Sequence, residues 1–214
     1  MADDLRVRRV RDSDWNGIVA LEAGAYTDSS LSEGRAALES RAWASPATCF
    51  VLEGEFPEGD LPESEAPESD LPESEAPEGD PRIAGYVLAL PYPMYRYPDL
   101  ARSEDTVFRS PNLHLHDLVI AEEFRGRGLA KRLLHRLTET ARSMSYEQIS
   151  LIAVEGNEGF WSANGYHPLP HVTLPGTYGT DAVYMSRAVQ GGRAEKSSFT
   201  DDPLPGSPPQ DEVG

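Results

Sequence analysis

The stretch that decides the fold is Val119-Ile120-Ala121-Glu122-Glu123-Phe124-Arg125-Gly126-Arg127-Gly128-Leu129-Ala130. An apolar strand ends at its start, a short turn with two glycines follows, and a helical apolar pattern begins inside it. The first amides of a helix lack partners within the helix and carry positive partial charge, so they suit a pyrophosphate. Gly126 and Gly128 allow close backbone approach because no Cβ stands in the way. We therefore expect a phosphate-bearing ligand here, with added positive charge from Arg125, Arg127 and Lys131.

Two common phosphate-binding turns do not fit this stretch. A P-loop needs Gly-Lys-Ser/Thr, which does not follow these glycines. A dinucleotide-binding fold places its glycine turn after the first strand of a βαβ unit, with an acidic residue about 20 positions later. Here the turn follows the fourth expected strand, behind an antiparallel hairpin.

The chain on both sides of this stretch alternates between strand and helix patterns. Strands are predicted at 5–10, 47–53, 82–91, 113–120, 149–154 and 182–189, and helices from residue 12 or 13 to about 21, over 30–42, over 129–144 and over 157–164. Segments 47–53 and 82–91 should pair as an antiparallel hairpin. The pattern predicts one domain over 1–189 of class α/β, with the α+β character of a mixed sheet.

The formal net charge of −17 is concentrated in two segments. Residues 54–81 hold eleven Asp or Glu and no Lys or Arg, in two near copies of Leu-Pro-Glu-Ser-Glu-Ala-Pro-Glu-Ser/Gly-Asp. Regular prolines and like charges predict a disordered insertion at the hairpin tip, a spacer or else a tether for a basic partner. The tail, 190–214, is also predicted to be disordered. An acidic chain does not suit the phosphate backbone, so we expect no nucleic-acid partner.

The one cysteine and the N-terminal sequence indicate the cellular compartment of the protein. Cys49 lies in an apolar run and is predicted to be a buried core side chain, with no disulfide. The N-terminus lacks the apolar region of a signal peptide, and no apolar run approaches the ~20 residues of a membrane span. We therefore expect a cytoplasmic protein with no membrane partner.

The stretch around Gly128 also matches a known family. Arg125-x-x-Gly128-x-Ala130 resembles the Q/R-x-x-G-x-G/A signature of the GNAT (GCN5-related) N-acetyltransferases, and Phe160-Trp161-Ser162-Ala163-Asn164-Gly165-Tyr166 is similar to their F-Y-x-x-x-G-F segment. The resemblance covers roughly residues 5–189 without the acidic insertion. It implies a central, mostly antiparallel sheet of six to seven strands flanked by about four helices.

The resemblance further implies acetyl-CoA as cosubstrate. Backbone amides from Gly126 to Lys131 would hold its pyrophosphate, and the end of the preceding strand would lie beside the pantetheine and the thioester carbonyl. The cofactor-binding residues implied are Leu118, Val119, Ile120, Arg125, Gly126, Arg127, Gly128, Leu129, Ala130, Lys131, Asn157 and Trp161.

The implied reaction is direct attack of a primary amine on the thioester, with a base and an acid moving the protons. The acceptor is a small-molecule amine or a peptide amine, and a homodimer is compatible with the sequence. Many family members keep a tyrosine acid where this chain has Trp161, whose indole is not a useful acid near neutral pH. Tyr166, His167, Ser162 or solvent could replace it. The alternative function is a CoA-binding sensor or scaffold module that does not catalyse.

Candidates for the base stand on the strand before the glycine turn, in His114-Leu115-His116-Asp117. Alternation predicts His114 and His116 on one face and Leu115 and Asp117 on the other. We predict His116 and Asp117 as catalytic residues, together with Tyr166 as acid; a hydrogen-bonded structural role is the alternative for the first two. His-x-His also suits a metal, but no acidic or cysteine cluster completes a site, so none is expected.

Two loops are candidates for the acceptor site. The stretch 91–111 contains tyrosines and prolines and would form a wall of that site or a packed surface loop. In the loop 167–181, His171 and Tyr178 are candidate acceptor contacts, because the resemblance places part of the acceptor site there.

Overall fold

The structure, a computed structural model, describes residues 5–26, 31–54 and 82–189. The predictions for the acidic insertion, beyond Gly54, and for the tail 190–214 concern residues outside these ranges.

Seven strands and four α-helices make up the described chain, as predicted for the fold class. The strands are β1 Arg6–Arg9, β2 Phe50–Gly54, β3 Arg82–Pro91, β4 Asn112–Ile120, β5 Gln148–Ala153, β6 His167–Pro168 and β7 Val183–Ala188. The helices are α1 Trp15–Ala23, α2 Arg35–Ala44, α3 Leu129–Ser143 and α4 Glu158–Ala163. The segment 47–49, predicted as strand, belongs largely to a single 3-10 turn, Pro46–Thr48, because Pro46 fits the first position of such a turn.

One sheet carries all seven strands in the order β1-β2-β3-β4-β5-β7-β6. The predicted hairpin of β2 and β3 is confirmed, with Phe50 opposite Val87. Every neighbouring pair is antiparallel except β4 and β5, which are parallel.

The parallel pairing of β4 and β5 is short. It covers only Asn112, Leu113 and His114 of β4, which face Gln148, Ile149 and Ser150. Both strands continue beyond these residues, β4 to Ile120 and β5 to Ala153, without a ladder between them. The sheet therefore divides into two arms with a gap between the second halves of β4 and β5.

Each face of the sheet has its own apolar core. On the α3 face, an apolar stripe of α3 packs with Trp161 of α4 on residues from the central strands; the stripe is Leu129, Leu133, Leu134, Leu137 and Ala141. On the α1/α2 face, Trp15 and Ile18 of α1 and Leu38 of α2 pack on Val51, Tyr86 and Val119. Cys49 is fully buried there, as predicted.

A β-bulge in β4 changes which side chains share a face. Leu88 of β3 faces Asp117 and its neighbour Ala89 faces Leu115, so His116 is an extra residue without its own partner. The bulge restarts the alternation one residue out of step. The prediction that Asp117 lies on the face opposite His116 is therefore wrong, because both side chains point to the α1/α2 face and line one cavity.

Candidate active site

The gap between β4 and β5 leaves the end of β4 available to a ligand. Leu118, Val119 and Ile120 pair with β3 on one side and have no β5 partner on the other. Backbone N–H and C=O groups on that second edge are unpaired within the sheet, and such groups need hydrogen-bond partners. An extended ligand lying in the gap could supply them.

The turn after β4 has the geometry expected of a pyrophosphate site. Gly126 and Gly128 have φ of +77° and +76°, and no atom lies within 4 Å of where a Cβ would stand on either. Helix α3 begins at Leu129, and no side chain caps it. Its first amides therefore have no side-chain cap and are available to a ligand.

The side chains around this turn have different roles. Arg125 donates from Nε to the carbonyl of Ile120 at 3.2 Å, which ties the turn to the end of β4. Arg127 places its guanidinium 5.4 Å from the Phe124 ring centroid. The side chain of Leu129 is in the core, so only its backbone can face a ligand, whereas Lys131 is exposed.

Helix α4 follows β5 and starts at the same edge of the sheet as this turn. Asn157 precedes the first residue of α4 and is exposed. Trp161 packs in the core of the α3 face, with its ring 5.4 Å from that of Tyr166. Because β4 and β5 are parallel, the end of β4, the glycine turn and the start of α4 all lie at the same end of the strands.

A cavity of about 40 Å³ lies on the α1/α2 face. Residues of β4 line one side and Ile152 and Val154 the other, so it reaches the gap between the strands. It has room for about three water molecules or one ammonium group. Its lining is Glu22, Tyr26, Leu31, Glu33, Leu100, His114, His116, Asp117, Ile152, Val154 and Tyr178.

Glu33 is the centre of the charged groups in this cavity. His116 Nε2 lies 2.5 Å from Glu33 Oε2, and Arg41 donates to the same carboxylate from Nε at 3.0 Å and from a terminal nitrogen. Burial alone would raise the pKa of Glu33, but the facing His116 and Arg41 together lower it to about 2. Glu33 is therefore ionised at neutral pH and accepts the Nε2 proton of His116, which leaves Nδ1 as the basic nitrogen of that ring.

Two more carboxylates line the cavity, and both have raised pKa values. Burial raises the pKa of Glu22, although Ser32 Oγ donates to it at 2.7 Å and the Glu33 amide at 2.5 Å. Burial also raises the pKa of Asp117, which accepts hydrogen bonds from Tyr26 at 2.7 Å and from Tyr86. Three buried carboxylates and one buried arginine give the cavity a negative balance.

The remaining polar groups of the cavity are neutral. Burial lowers the pKa of His114 well below its usual value, and its Nδ1 lies 3.1 Å from Ser150 Oγ. Burial raises the pKa of Tyr178, whose hydroxyl donates to the carbonyl of Pro98 at 2.6 Å. That bond ties the predicted acceptor loop 167–181 to the predicted wall 91–111.

The structure does not bring Tyr166 to this cavity. Its side chain is 1 % exposed within the core of the α3 face, and burial raises its pKa to about 12. The guanidinium of Arg187 stands 5.0 Å from its ring centroid. His167 and Ser162 are exposed, and His171 packs against Tyr95 with ring centroids 5.3 Å apart.

Sequence reasoning missed Glu22, Glu33, Arg41 and Tyr26. Glu22 is on α1 and Arg41 on α2, far from the histidines in the chain. No local pattern distinguishes them from surface charges, and only their burial in the folded chain shows that they belong to the site.

Within the ranges that the structure describes, no group of three His, Cys, Asp or Glu side chains is placed to hold a metal ion. None of the helices described is long and apolar enough to cross a membrane.

Comparison with known proteins identifies the family. Residues 37–166 match the model of the acetyltransferase (GNAT) family, so this chain belongs to that family and is an acyltransferase that uses a CoA thioester. No curated protein sequence matches the chain.

Solved structures share the fold at low identity. Ard1 from Thermoplasma volcanium is 13 % identical, with a TM-score of 0.59 over 87 % of this chain and 99 % of that one. The ribosomal-protein-S18-alanine N-acetyltransferase from Escherichia coli is 11 % identical, with a TM-score of 0.51 over 89 % and 97 %. A GNAT-like decarboxylase, GphF in complex with isobutyryl-CoA, is 19 % identical, with a TM-score of 0.54 over 86 % and 100 %.

Proposed function

We propose that this chain transfers the acetyl group of acetyl-CoA to a primary amine, by direct attack of the amine on the thioester. The observation that carries the proposal is the acidic cavity that opens on the gap between β4 and β5. The gap and the glycine turn suit the pantetheine and pyrophosphate, and the cavity places a negative field where the acceptor must enter.

The charge of the cavity favours an ammonium group as the entering species. Glu22, Glu33 and Asp117 are all buried, and Arg41 is the buried cation that faces Glu33. This field attracts a cation and also holds its proton more tightly, so the amine needs a proton acceptor inside the cavity before it can attack.

His116 is our choice for that acceptor. Ionised Glu33 holds the Nε2 proton, so Nδ1 can take a proton from the amine while the resulting imidazolium is stabilised by the carboxylate. Asp117 contributes negative charge beside His116 but has two tyrosine donors, which favours a positioning role. Tyr166 is too buried to serve as the acid, so solvent or an exposed group must protonate the departing thiolate.

The binding residues of the proposal lie at the end of β4, in the glycine turn and in α4. Backbone amides from Gly126 to Lys131 would hold the pyrophosphate, and the free edge of Leu118, Val119 and Ile120 would lie beside the pantetheine. A backbone N–H of that edge would polarise the thioester carbonyl. Asn157 and Trp161 would complete the site from α4.

The side chains of the cavity argue against two other functions. A decarboxylase, the activity named for GphF, must bind a carboxylate, which three buried carboxylates would repel. A CoA-binding module that does not catalyse would have no need for a histidine paired with an ionised glutamate beside the gap.

Release of the CoA thiol from acetyl-CoA, measured across a library of primary amines, peptides and carboxylate-bearing amines, tests the proposal. We expect release with at least one cationic amine and an N-acetylated product of the correct mass. Binding of acetyl-CoA without thiol release from any amine would support the non-catalytic module instead.

A further inference from the structure

A second concave surface lies at the end of the strands opposite to the glycine turn. It is a groove of about 160 Å³ between the loop after β1, the first residue of α1, the end of α2 and the turn before β2. Its lining is Val10, Arg11, Asp12, Trp15, Ala42, Trp43, Pro46 and Cys49. None of these residues belongs to the candidate active site.

Trp43 makes this groove unusual. It is 72 % exposed, whereas the other two tryptophans, Trp15 and Trp161, are 5 % and 8 % exposed. A tryptophan left in water beside an apolar groove loses the stabilisation that burial of its large surface would give, and such patches commonly mark interaction sites. Aromatic rings next to an apolar groove are also the surface on which polyproline segments dock.

The described chain ends at the same end of the strands as this groove. The amide of Val189, its last residue, donates to the carbonyl of Glu147 at 2.9 Å. Helix α3, which precedes β5 in the chain, contacts the turn Pro46–Thr48, whose first residue lines the groove. The described chain therefore ends at the end of the strands where the groove lies, whereas β2 ends at Gly54 and β3 begins at Arg82 at the opposite end of the strands.

The tail is long enough to reach the groove. Four strand spacings of about 4.8 Å separate β7 from β2 in the sheet order, which is about 19 Å. Ten residues separate Val189 from Phe199, and ten extended residues span up to about 33 Å.

The tail also carries a segment whose chemistry fits. It reads Phe199-Thr200-Asp201-Asp202-Pro203-Leu204-Pro205-Gly206-Ser207-Pro208-Pro209. Pro205 and Pro208 have the P-x-x-P spacing, and Phe199 and Leu204 are large apolar residues in an otherwise polar tail. Asp201 and Asp202 are opposite in charge to Arg11, which lines the groove, and to the exposed Arg9 two residues before it, although Asp12 beside Arg11 reduces that attraction.

We propose that the groove beside Trp43 is the docking site of the chain's own segment 199–209. The prolines and Leu204 pack against Trp43 and Pro46, and the aspartates face Arg9 and Arg11. The proposal concerns a surface remote from the active site and does not depend on the acetyltransferase activity.

Acrylamide quenching of tryptophan fluorescence in the full chain tests the docking. Trp43 is the exposed one of the three tryptophans. If the tail covers Trp43, acrylamide should quench the fluorescence of all three tryptophans in the full chain only weakly. The full-chain double variant Phe199→Ser/Leu204→Ser should then show easy quenching of about one third of the emission. The matched control, Ser197→Ala/Ser207→Ala, should quench like the unaltered chain, and Trp43→Phe should abolish the difference between tail variant and parent.

Trypsin cleavage after Lys196 provides a second measurement. Trp43→Ala removes an exposed side chain, so the fold should persist by circular dichroism, and cleavage should accelerate as the tail is released. Equal quenching of the parent and the tail variant, with an unchanged cleavage rate, would overturn the proposal. Protection of Trp43 that rises with protein concentration and persists in the tail variant would also overturn it, because a second copy would then cover the groove.

Discussion

At the scale of single residues, the cavity depends on one carboxylate held between two cationic or polarisable partners. Glu33 contacts His116 and Arg41, and all three side chains are almost fully buried. Arg41 also donates to the carbonyl of Asp99 at 3.0 Å, so the same guanidinium fixes the loop after β3. The acid–base group and the wall of the cavity are therefore held by one ion-pair network.

Glu33→Gln tests the energetic part of that network. Removing the charge leaves the buried Arg41 with only the more distant carboxylate of Glu104, 3.7 Å away, which should lower the free energy of unfolding by about 3 kcal/mol at pH 7. Because the folded pKa of Glu33 is about 2 and its usual value is 4.5, its contribution is complete above about pH 4.5 and is lost as pH falls toward 2.

Urea unfolding from pH 7 to pH 2.5 measures this effect. The difference between the parent and Glu33→Gln should stay constant down to about pH 5 and then shrink. Glu39→Gln is the matched control, because Glu39 pairs with Arg35 at the surface and should contribute little. A difference that does not depend on pH would contradict the ionised state assigned to Glu33.

His116→Gln tests the proposed base. We expect kcat to fall about 100-fold, with the KM for acetyl-CoA nearly unchanged. His135→Gln is the control, since His135 is exposed on α3 beside Glu139. Unchanged kcat in His116→Gln would rule out His116 as the base.

At the scale of elements, the start of α3 and the end of β4 act as one unit. Arg125 ties the turn to Ile120, and the glycines supply the left-handed backbone that aims the first amides of α3 at the open side. The sequence predicted this unit well, because a strand end, two glycines and an apolar helix stripe are all local patterns.

Gly128→Ala and Gly128→Asn separate the two roles of this glycine. Alanine at φ +76° is strained and should cost about 1 kcal/mol of stability. Asparagine tolerates that conformation better, so it should recover part of the stability. Both variants place a side chain where the ligand approaches, so both should weaken acetyl-CoA binding about tenfold by calorimetry. Tight binding by Gly128→Asn would contradict the proposed contact.

The bulge in β4 is the element that local patterns did not predict. It follows from the pairing of β4 with β3. The adjacent residues Leu88 and Ala89 pair with Asp117 and Leu115, which are two positions apart in β4. Nothing in His114-Leu115-His116-Asp117 distinguishes a bulged strand from a regular one. The register of two strands far apart in the chain decides it, and it moves Asp117 into the cavity.

At the scale of the whole molecule, most of the negative charge lies in two segments outside the strands and helices of the sheet. Without the acidic insertion and the tail, the rest of the chain has a net charge near −3. Deleting 57–80 and 191–214 together should therefore leave the affinity for acetyl-CoA unchanged within about twofold, because none of the proposed phosphate contacts is removed. Calorimetric titration at two salt concentrations measures this, and a large loss at both would assign the segments a role in cofactor binding.

The sequence by itself determined the fold class, the strand and helix order, and the place of the glycine turn. These follow from local periodicity, from glycine conformation and from unpaired helix amides, all of which short stretches of chain specify. Only the tertiary structure decided the acidic cavity, the exclusion of Tyr166 from it and the gap between β4 and β5. Those depend on which residues distant in the chain are buried against one another, and burial is what turns ordinary charges such as Glu22, Glu33 and Arg41 into a site.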